Sequence, residues 1–210
     1  MREDWLGRWT HGRTGWHEPD GNDGLKSFWP ESDNPGRVLV PLCGKSPDLL
    51  WLAQRGHDVV GVELSEIAVE GFFTDHNLEF EREADGPLSR YTATEHSVTI
   101  YCGDYFDFQS SPFDALYDRG ALIALTEDLR PRYVLHTDQL LKPGATRLVI
   151  TLEYDQKIVN GPPFSVMPDE LTSYWGDLER IAQKDDIDNC PPKFRKAGLV
   201  EISEVFWLAR

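Results

Sequence analysis

The sequence predicts an α/β fold, a mostly parallel sheet with helices on both faces, and three observations predict it. Runs rich in Val, Ile and Leu recur along the chain, as in "RVLVPL" (37–42), "HDVVGVEL" (57–64) and "TRLVITLEY" (146–154). Segments of helical character separate them, and such alternation is what buries a parallel sheet on both faces. The residues with chemical capacity fall just after the strands, where open α/β sheets hold their ligands.

The first 36 residues are a separate compositional zone that holds four of the seven tryptophans: Trp5, Trp9, Trp16 and Trp29. Trp5 and Trp9 share a face if this segment is helical. Gly12, Gly15, Gly21 and Gly24, with Pro19, then interrupt regular structure, and Pro30, Pro35 and Gly36 mark the join to the main body. Residues 37–42 read as a buried strand and 46–55 as a helix, with Ser46 as N-cap, Pro47 at the first position and Gly56 as the stop. Residues 57–64 form a second strand and 65–77 a second helix capped by Ser65.

A polar stretch, 81–96, has room for a hairpin. "SVTIYCGDYFDF" (97–108) then carries a third strand, and "FDALYDRGAL" (113–122) a fourth with its exit turn. A helix over 127–141 is expected to end at Lys142-Pro143-Gly144, before the fifth strand at 146–154. A loop at "GPPF" (161–164), a short helix in "MPDELTSYW" (167–175) and a final strand in "LVEISEVFWLA" (199–209) complete the chain. Residues 178–186 fit strand or helix.

At 210 residues, with 40% apolar and 27% charged residues, the chain suits one soluble domain with a real core. Lys and Arg number 21 against 36 Asp and Glu, a formal net charge of −15. That field repels polyanions, so no nucleic-acid partner is expected. The start "MREDWLGRWTHGR" lacks a signal-type apolar core, and no stretch approaches the roughly eighteen apolar residues of a membrane span. A cytoplasmic protein without a membrane partner is expected, and a monomer, since no heptad or large apolar edge is visible. Cys43, Cys102 and Cys190 are scattered, and the six histidines form no HxxxH or HExxH pair, so no metal site is expected.

The turn after the first strand, "PLCGKS", decides what kind of ligand the sheet holds. Gly44-Lys45-Ser46 is the second half of a phosphate-binding loop, but the first glycine would have to stand at position 39, which is Leu39. A dinucleotide turn needs GxGxxG, and only Gly44 is present. S-adenosylmethionine, which carries no phosphate, asks less of the turn; a tight turn without a ligand is the alternative.

Glu63 follows Gly44 by nineteen residues and ends the second strand. A carboxylate there can accept both ribose hydroxyls of an adenosine. Asp104 or Tyr105, after the third strand, is placed for the adenine, while Asp107 reads as a cap or a solvated acid. After the fourth strand, Arg119 could pair with the cofactor carboxylate or steer an anionic substrate. Asp118 could simply hold Arg119.

"WLGRWTHGRTGWH", "RVLVPLCGKSPDLLWLAQRGHDVVGVELSE", "YDRGALIAL" and "GPPF", in this order, resemble the thiopurine S-methyltransferase family, its bacterial branch in particular. The likeness runs over nearly the whole chain. It implies a class I S-adenosylmethionine-dependent methyltransferase fold: a Rossmann-like seven-stranded sheet (37–210) with an N-terminal lid (1–36), one domain over 1–210. Carried over by position, Trp9, Leu42, Glu63, Asp104, Tyr105 and Arg119 bind the cofactor. Trp16 stands beside cofactor and substrate where the family usually has Phe. Lys193 falls near a substrate-proximal arginine of mammalian members, and Trp5 and Trp29 read as packing.

The activity implied is S-methylation of small aromatic or heterocyclic thiols. A sulfonium is attracted to aromatic faces, which also exclude water. Alignment matters more than acid–base help, so no general base is assigned; Arg119 positions the reactants and favours a thiolate by its charge. Selenium or tellurium compounds, in metalloid resistance, are the alternative acceptors, and a non-enzymatic nucleoside-binding module is the alternative to an enzyme. Lys45 reads as one half of a structural ion pair.

Overall fold

A computed structural model describes residues 2–33 and 35–210. The chain divides into two compact units, 1–115 and 116–210.

In the first unit, β1 (Arg37–Pro41), β2 (Asp58–Glu63) and β5 (Val98–Cys102) run parallel, with Leu39 beside Val60 and Gly61 beside Ile100. The Val-rich β1 and β2 are buried at nearly every position, as a sheet covered on both faces requires, and β5 buries Val98 and Ile100. Gly61 is needed inside β2, because a Cβ there would lie 2.7 Å from Cys43 Sγ and 2.8 Å from Leu49 Cδ2. The turn after β1 and the helix α3 (Asp48–Ala53) therefore pack directly on the β2 backbone.

The polar stretch does form a hairpin, β3 (Phe80–Asp85) with β4 (Leu88–Ala93), and β4 pairs antiparallel with β5. β3 is exposed along its whole length, and its charges, Glu81, Arg82, Glu83 and Asp85, discourage further pairing. At the opposite ends of the parallel strands Arg37 acts as a clamp. Its backbone N–H donates to Asp114 (2.9 Å) and its guanidinium to Asp58 (3.0 Å) and to Ser111 O (2.8 Å), lying over the Phe113 ring. Asp114 and Phe113 belong to β6 (Phe113–Arg119), the strand that leads into the second unit.

The second unit holds α5 (Arg130–Leu140), β7 (Leu141–Glu153), α6 (Pro168–Tyr174), β8 (Glu179–Asp185), α7 (Pro192–Lys196) and β9 (Ser203–Ala209). β9 pairs antiparallel with both β7 and β8. Leu152, Tyr154, Cys190, Phe194, Leu199 and Ile202 form its apolar cluster.

Several expectations need correction. The described residues contain nine strands, two more than the seven expected, and the β3–β4 hairpin accounts for the difference. The helix predicted at 46–55 covers 48–53, with Pro47 as its N-cap; Ser46 Oγ accepts a long bond from Asp48 N–H (3.3 Å). The helix predicted at 127–141 covers 130–140, and Lys142-Pro143-Gly144 lies inside β7 rather than before it. The final strand starts at Ser203.

Ser65 does sit at the N-cap of α4 (Glu66–Asp75), but its side chain makes no capping bond. Residues 178–186 resolve as β8. A helix over residues 23–28 was not foreseen. Asn22 Oδ1 caps it, accepting from Gly24 N–H (2.8 Å) and Leu25 N–H (3.2 Å), while Asn22 N–H donates to the buried Asp48 (2.8 Å). That anchoring overrides the weak helix propensity of Gly24. The N-terminal residues form α1 (Arg2–Thr10), which places Trp5 and Trp9 one turn apart.

Candidate functional site

The site lies at the carboxyl ends of β1, β2 and β5, and Glu63 is its centre. Its Oε2 accepts from Gly44 N–H (2.8 Å) and its Oε1 from Ser65 N–H (2.8 Å). Its backbone carbonyl accepts from Gly103 N–H (2.8 Å), and Cys43 N–H donates to Val62 O (3.1 Å). One glutamate therefore ties together the turns that follow all three parallel strands.

Burial pushes the Glu63 carboxyl up, and the N–H groups of Ser65, Gly44 and Leu64 pull it back. An ionised carboxylate has about four lone-pair positions. The N–H groups of Gly44 and Ser65 take one position on each oxygen, and a pair of hydroxyl donors can use the others.

The turn itself is strained where it matters. Leu42 has φ +48° and Gly44 φ +57°. A left-handed leucine costs roughly 1–2 kcal/mol, and such outliers gather at ligand sites. Gly44 is also a point of close approach, because a Cβ there would lie 3.3 Å from Cζ2 of Trp9. The N-terminal segment is thus laid on the turn. Trp16 packs edge-on against both Trp9 (5.7 Å between ring centroids) and Trp5 (5.1 Å). The Arg8 guanidinium stands 5.0 Å from the Trp5 ring centre and 5.9 Å from that of Trp16.

After β5, Asp104 caps a short 3-10 turn over 105–107 by accepting from Phe106 N–H (3.0 Å), and Tyr105 is buried. Arg2 Nη1 reaches Asp104 Oδ2 at 3.7 Å, a second tie from α1 to the site. Asp107 faces solvent, and the cap is Asp104.

The structure brings Trp9, Trp16, Leu42, Glu63, Asp104 and Tyr105 into the first unit, on these turns and the segment over them. Lys45 points away, to Asp75 at the end of α4 (2.7 Å), the structural pair expected of it. The carboxyl of Asp75 is held below the usual range, chiefly by the hydrogen bond from Lys45. Trp29 donates to Nε2 of His57 (3.1 Å), so it bonds as well as packs.

Arg119 closes β6 in the second unit and is half-buried. Its neighbour Asp118 does not hold it. Asp118 Oδ1 accepts from Ala121 N–H (3.2 Å) and Leu122 N–H (3.1 Å), and its Oδ2 from the Tyr133 hydroxyl (2.7 Å). Its partners are therefore its own exit turn and α5, which claim both carboxylate oxygens. Lys193 is exposed and donates to Asn160 O (3.3 Å), just before the Gly-Pro-Pro-Phe loop.

Both cysteines beside the site favour the protonated thiol. Burial, reinforced by Glu63, pushes the Cys43 thiol well up, and burial with the charge of Glu66 takes Cys102 to about 11. Sequence reasoning missed Arg2 and Arg8. The only available signal was the three-residue spacing of Trp5 and Arg8, which counts only once α1 is known to be a helix.

The sequence profile of the thiopurine S-methyltransferase (TPMT) family matches residues 1–210. The chain belongs to the thiopurine S-methyltransferase family. A thiopurine S-methyltransferase of Photobacterium profundum is 43% identical over 209 residues, covering 98% of this chain and 97% of the relative. One of Bordetella petrii is 42% identical, covering 98% and 96%.

Among solved structures, the 1,6-didemethyltoxoflavin-N1-methyltransferase of Burkholderia thailandensis superposes with a TM-score of 0.66 at 17% identity, covering 99% of this chain and 86% of that one. It carries 1,6-didemethyltoxoflavin and S-adenosylhomocysteine. TehB of Haemophilus influenzae gives a TM-score of 0.58 at 16% identity, covering 100% and 67%. The fold is the class I methyltransferase fold, and family and fold together make the protein a methyltransferase that depends on S-adenosylmethionine.

Proposed function

We propose that the protein methylates the sulfur of small aromatic or heteroaromatic thiols, and that Glu63 with its two turns is the seat of the methyl donor. The observation that carries this is the Glu63 carboxylate, bonded through both oxygens to Gly44 and Ser65 and still able to accept a ribose diol. These residues fit S-adenosylmethionine. Leu42 and Gly44 would seat its amino-acid part, Glu63 its ribose, and Asp104 and Tyr105 its adenine.

Bound there, S-adenosylmethionine would supply an electrophilic methyl to an acceptor thiolate. The chain's own task is alignment and the exclusion of water. Trp9 and Trp16 present aromatic surface over the turn, which suits a cation and sheds water. The role given to Arg119, positioning the reactants and favouring the thiolate, rests on the family resemblance, and no general base is assigned.

A single domain over 1–210, with 1–36 as a lid on 37–210, belongs to this reading. So does a cytoplasmic monomer that binds no nucleic acid, and the free state of Cys43, Cys102 and Cys190 supports a reducing compartment.

The test is a methyl-transfer screen over heteroaromatic thiols, selenite and tellurite, run beside calorimetry with S-adenosylmethionine. Turnover of the thiols is expected. Turnover confined to selenium or tellurium species would move the protein to metalloid chemistry, and cofactor binding with no turnover on any acceptor would make it a binding module.

A further inference from the structure

In the first unit Arg2, Arg37, Arg82 and Arg90 each meet a carboxylate. Arg8 does not. Among the described residues its guanidinium makes no ion pair and no hydrogen bond, although the chain has 36 acidic residues and a net charge of −15. It is half-buried, lying 5.0 Å from the Trp5 ring centre and 5.9 Å from that of Trp16. The two rings flank the group, and its five N–H donors remain unspent.

Its position is not incidental. Trp16 packs edge-on against Trp9, and Trp9 lies on Gly44, so ring contacts lead from Arg8 to the turn beside Glu63. The segment is also locally basic, with three arginines against two acids in residues 1–17. A protein so acidic repels an anionic acceptor at long range, and such an acceptor needs a cation close to where it docks.

We propose that Arg8 is a specificity residue of the acceptor site and recognises an acid group, of carboxylate type, that the acceptor carries in addition to its thiol. The inference rests on the S-methyltransfer reading above. A planar guanidinium braced on indole faces is suited to bidentate pairing with a carboxylate. Pairing there is partly desolvated, which strengthens it over an exposed ion pair. The acid group is then held on the tryptophan side of the site, which orients the sulfur of a rigid aromatic acceptor.

The experiment compares 4-mercaptobenzoate with thiophenol as acceptors of the full-length protein. The wild type is expected to favour the carboxylated thiol in kcat/KM. Arg8→Met should lower that preference at least tenfold, Arg8→Lys should restore part of it, and added salt should erode it in the wild type. In parallel, calorimetry measures 4-(methylthio)benzoate and thioanisole binding to the protein loaded with S-adenosylhomocysteine, which needs no turnover.

A preference unchanged by Arg8→Met, or an equal loss for both acceptors, overturns the proposal and leaves Arg8 a brace for the indoles. Turnover of neither thiol removes the S-methyltransfer reading instead. The calorimetric pair then still decides whether Arg8 selects the anion.

Discussion

Glu63 and Asp118 are both buried carboxylates at the carboxyl end of a strand, and in both burial pushes the acid up. Their surroundings differ in one respect. Glu63 accepts one backbone N–H on each oxygen, from Gly44 and Ser65, and among the described residues no hydroxyl. Asp118 accepts two backbone N–H groups and the Tyr133 hydroxyl, so the phenol closes the side that Glu63 leaves open. On the reading proposed above, the same residue chemistry makes a ligand seat in one unit and a structural post in the other. The phenol partner of Asp118, more than burial or charge, separates the two.

The largest effect should come from opening that difference at Glu63. Glu63→Ala removes both ribose acceptors, and hydrogen bonds to a charged group are worth roughly 1.5–3 kcal/mol each. Affinity for S-adenosylmethionine should fall at least a hundredfold by calorimetry. Glu63→Gln keeps one acceptor and the side-chain volume, and should lose less. If both variants melt like the wild type and bind the cofactor equally well, Glu63 is a post like Asp118 and the proposed seat is wrong.

Next is Asp118, where the sign of the pH dependence is informative. Burial, opposed by the Tyr133 hydroxyl and the N–H groups of Leu122 and Ala121, raises its carboxyl to about 6. An unfolded aspartate titrates near 4. Between these values the folded state holds the proton and the unfolded state does not, so stability from this group falls as pH rises from about 4 to about 6 and is flat above. Asp118→Asn has no charge to bury. The stability difference between variant and wild type, read from urea melts, should move in the variant's favour by roughly 2 kcal/mol from pH 4 to pH 7. A pH-independent difference would mean that Asp118 titrates as in the unfolded chain.

Tyr133→Phe tests the closing phenol. It removes one bond to a buried acid, worth about 1.5–3 kcal/mol when that acid is ionised. The variant should be destabilised at pH 7 and nearly neutral below pH 4, where Asp118 is protonated in both folded and unfolded states. Equal destabilisation at both pH values would assign Tyr133 to packing alone.

The legible part of this molecule was the part written in local signals. Gly44, the interval to Glu63 and acids just after strands are short-range features, and they located the turns around Glu63. Leu42 was reached only through the family likeness, since a leucine carries no local mark of a left-handed turn. Arg8 was invisible because its meaning depends on a helix whose stability comes from indole packing rather than from propensity. Residues 178–186 were ambiguous because pairing with β9, not their own pattern, makes them a strand. The partner of Asp118 stayed open in the sequence for the same reason: Tyr133, fifteen residues away on α5, supplies the bond that defines it.

The smallest effect should come from Lys45, and its smallness is the point. Gly44-Lys45-Ser46 has the lettering of a phosphate loop, yet Lys45 spends its ammonium on Asp75 at 2.7 Å. Asp75 is exposed, so the pair is screened and worth about 0–1 kcal/mol. Because that pair holds the Asp75 carboxyl low, its contribution is present above pH 4 or so and fades as pH falls further. Lys45→Met should therefore cost at most about 1 kcal/mol at pH 7, with the loss vanishing in acid. Neither phosphate nor a nucleoside triphosphate should protect Lys45 from chemical modification in the wild type. Protection by a triphosphate would make Lys45 a ligand-facing cation, and the contrast between a seat at Glu63 and a post at Lys45–Asp75 would have to be redrawn.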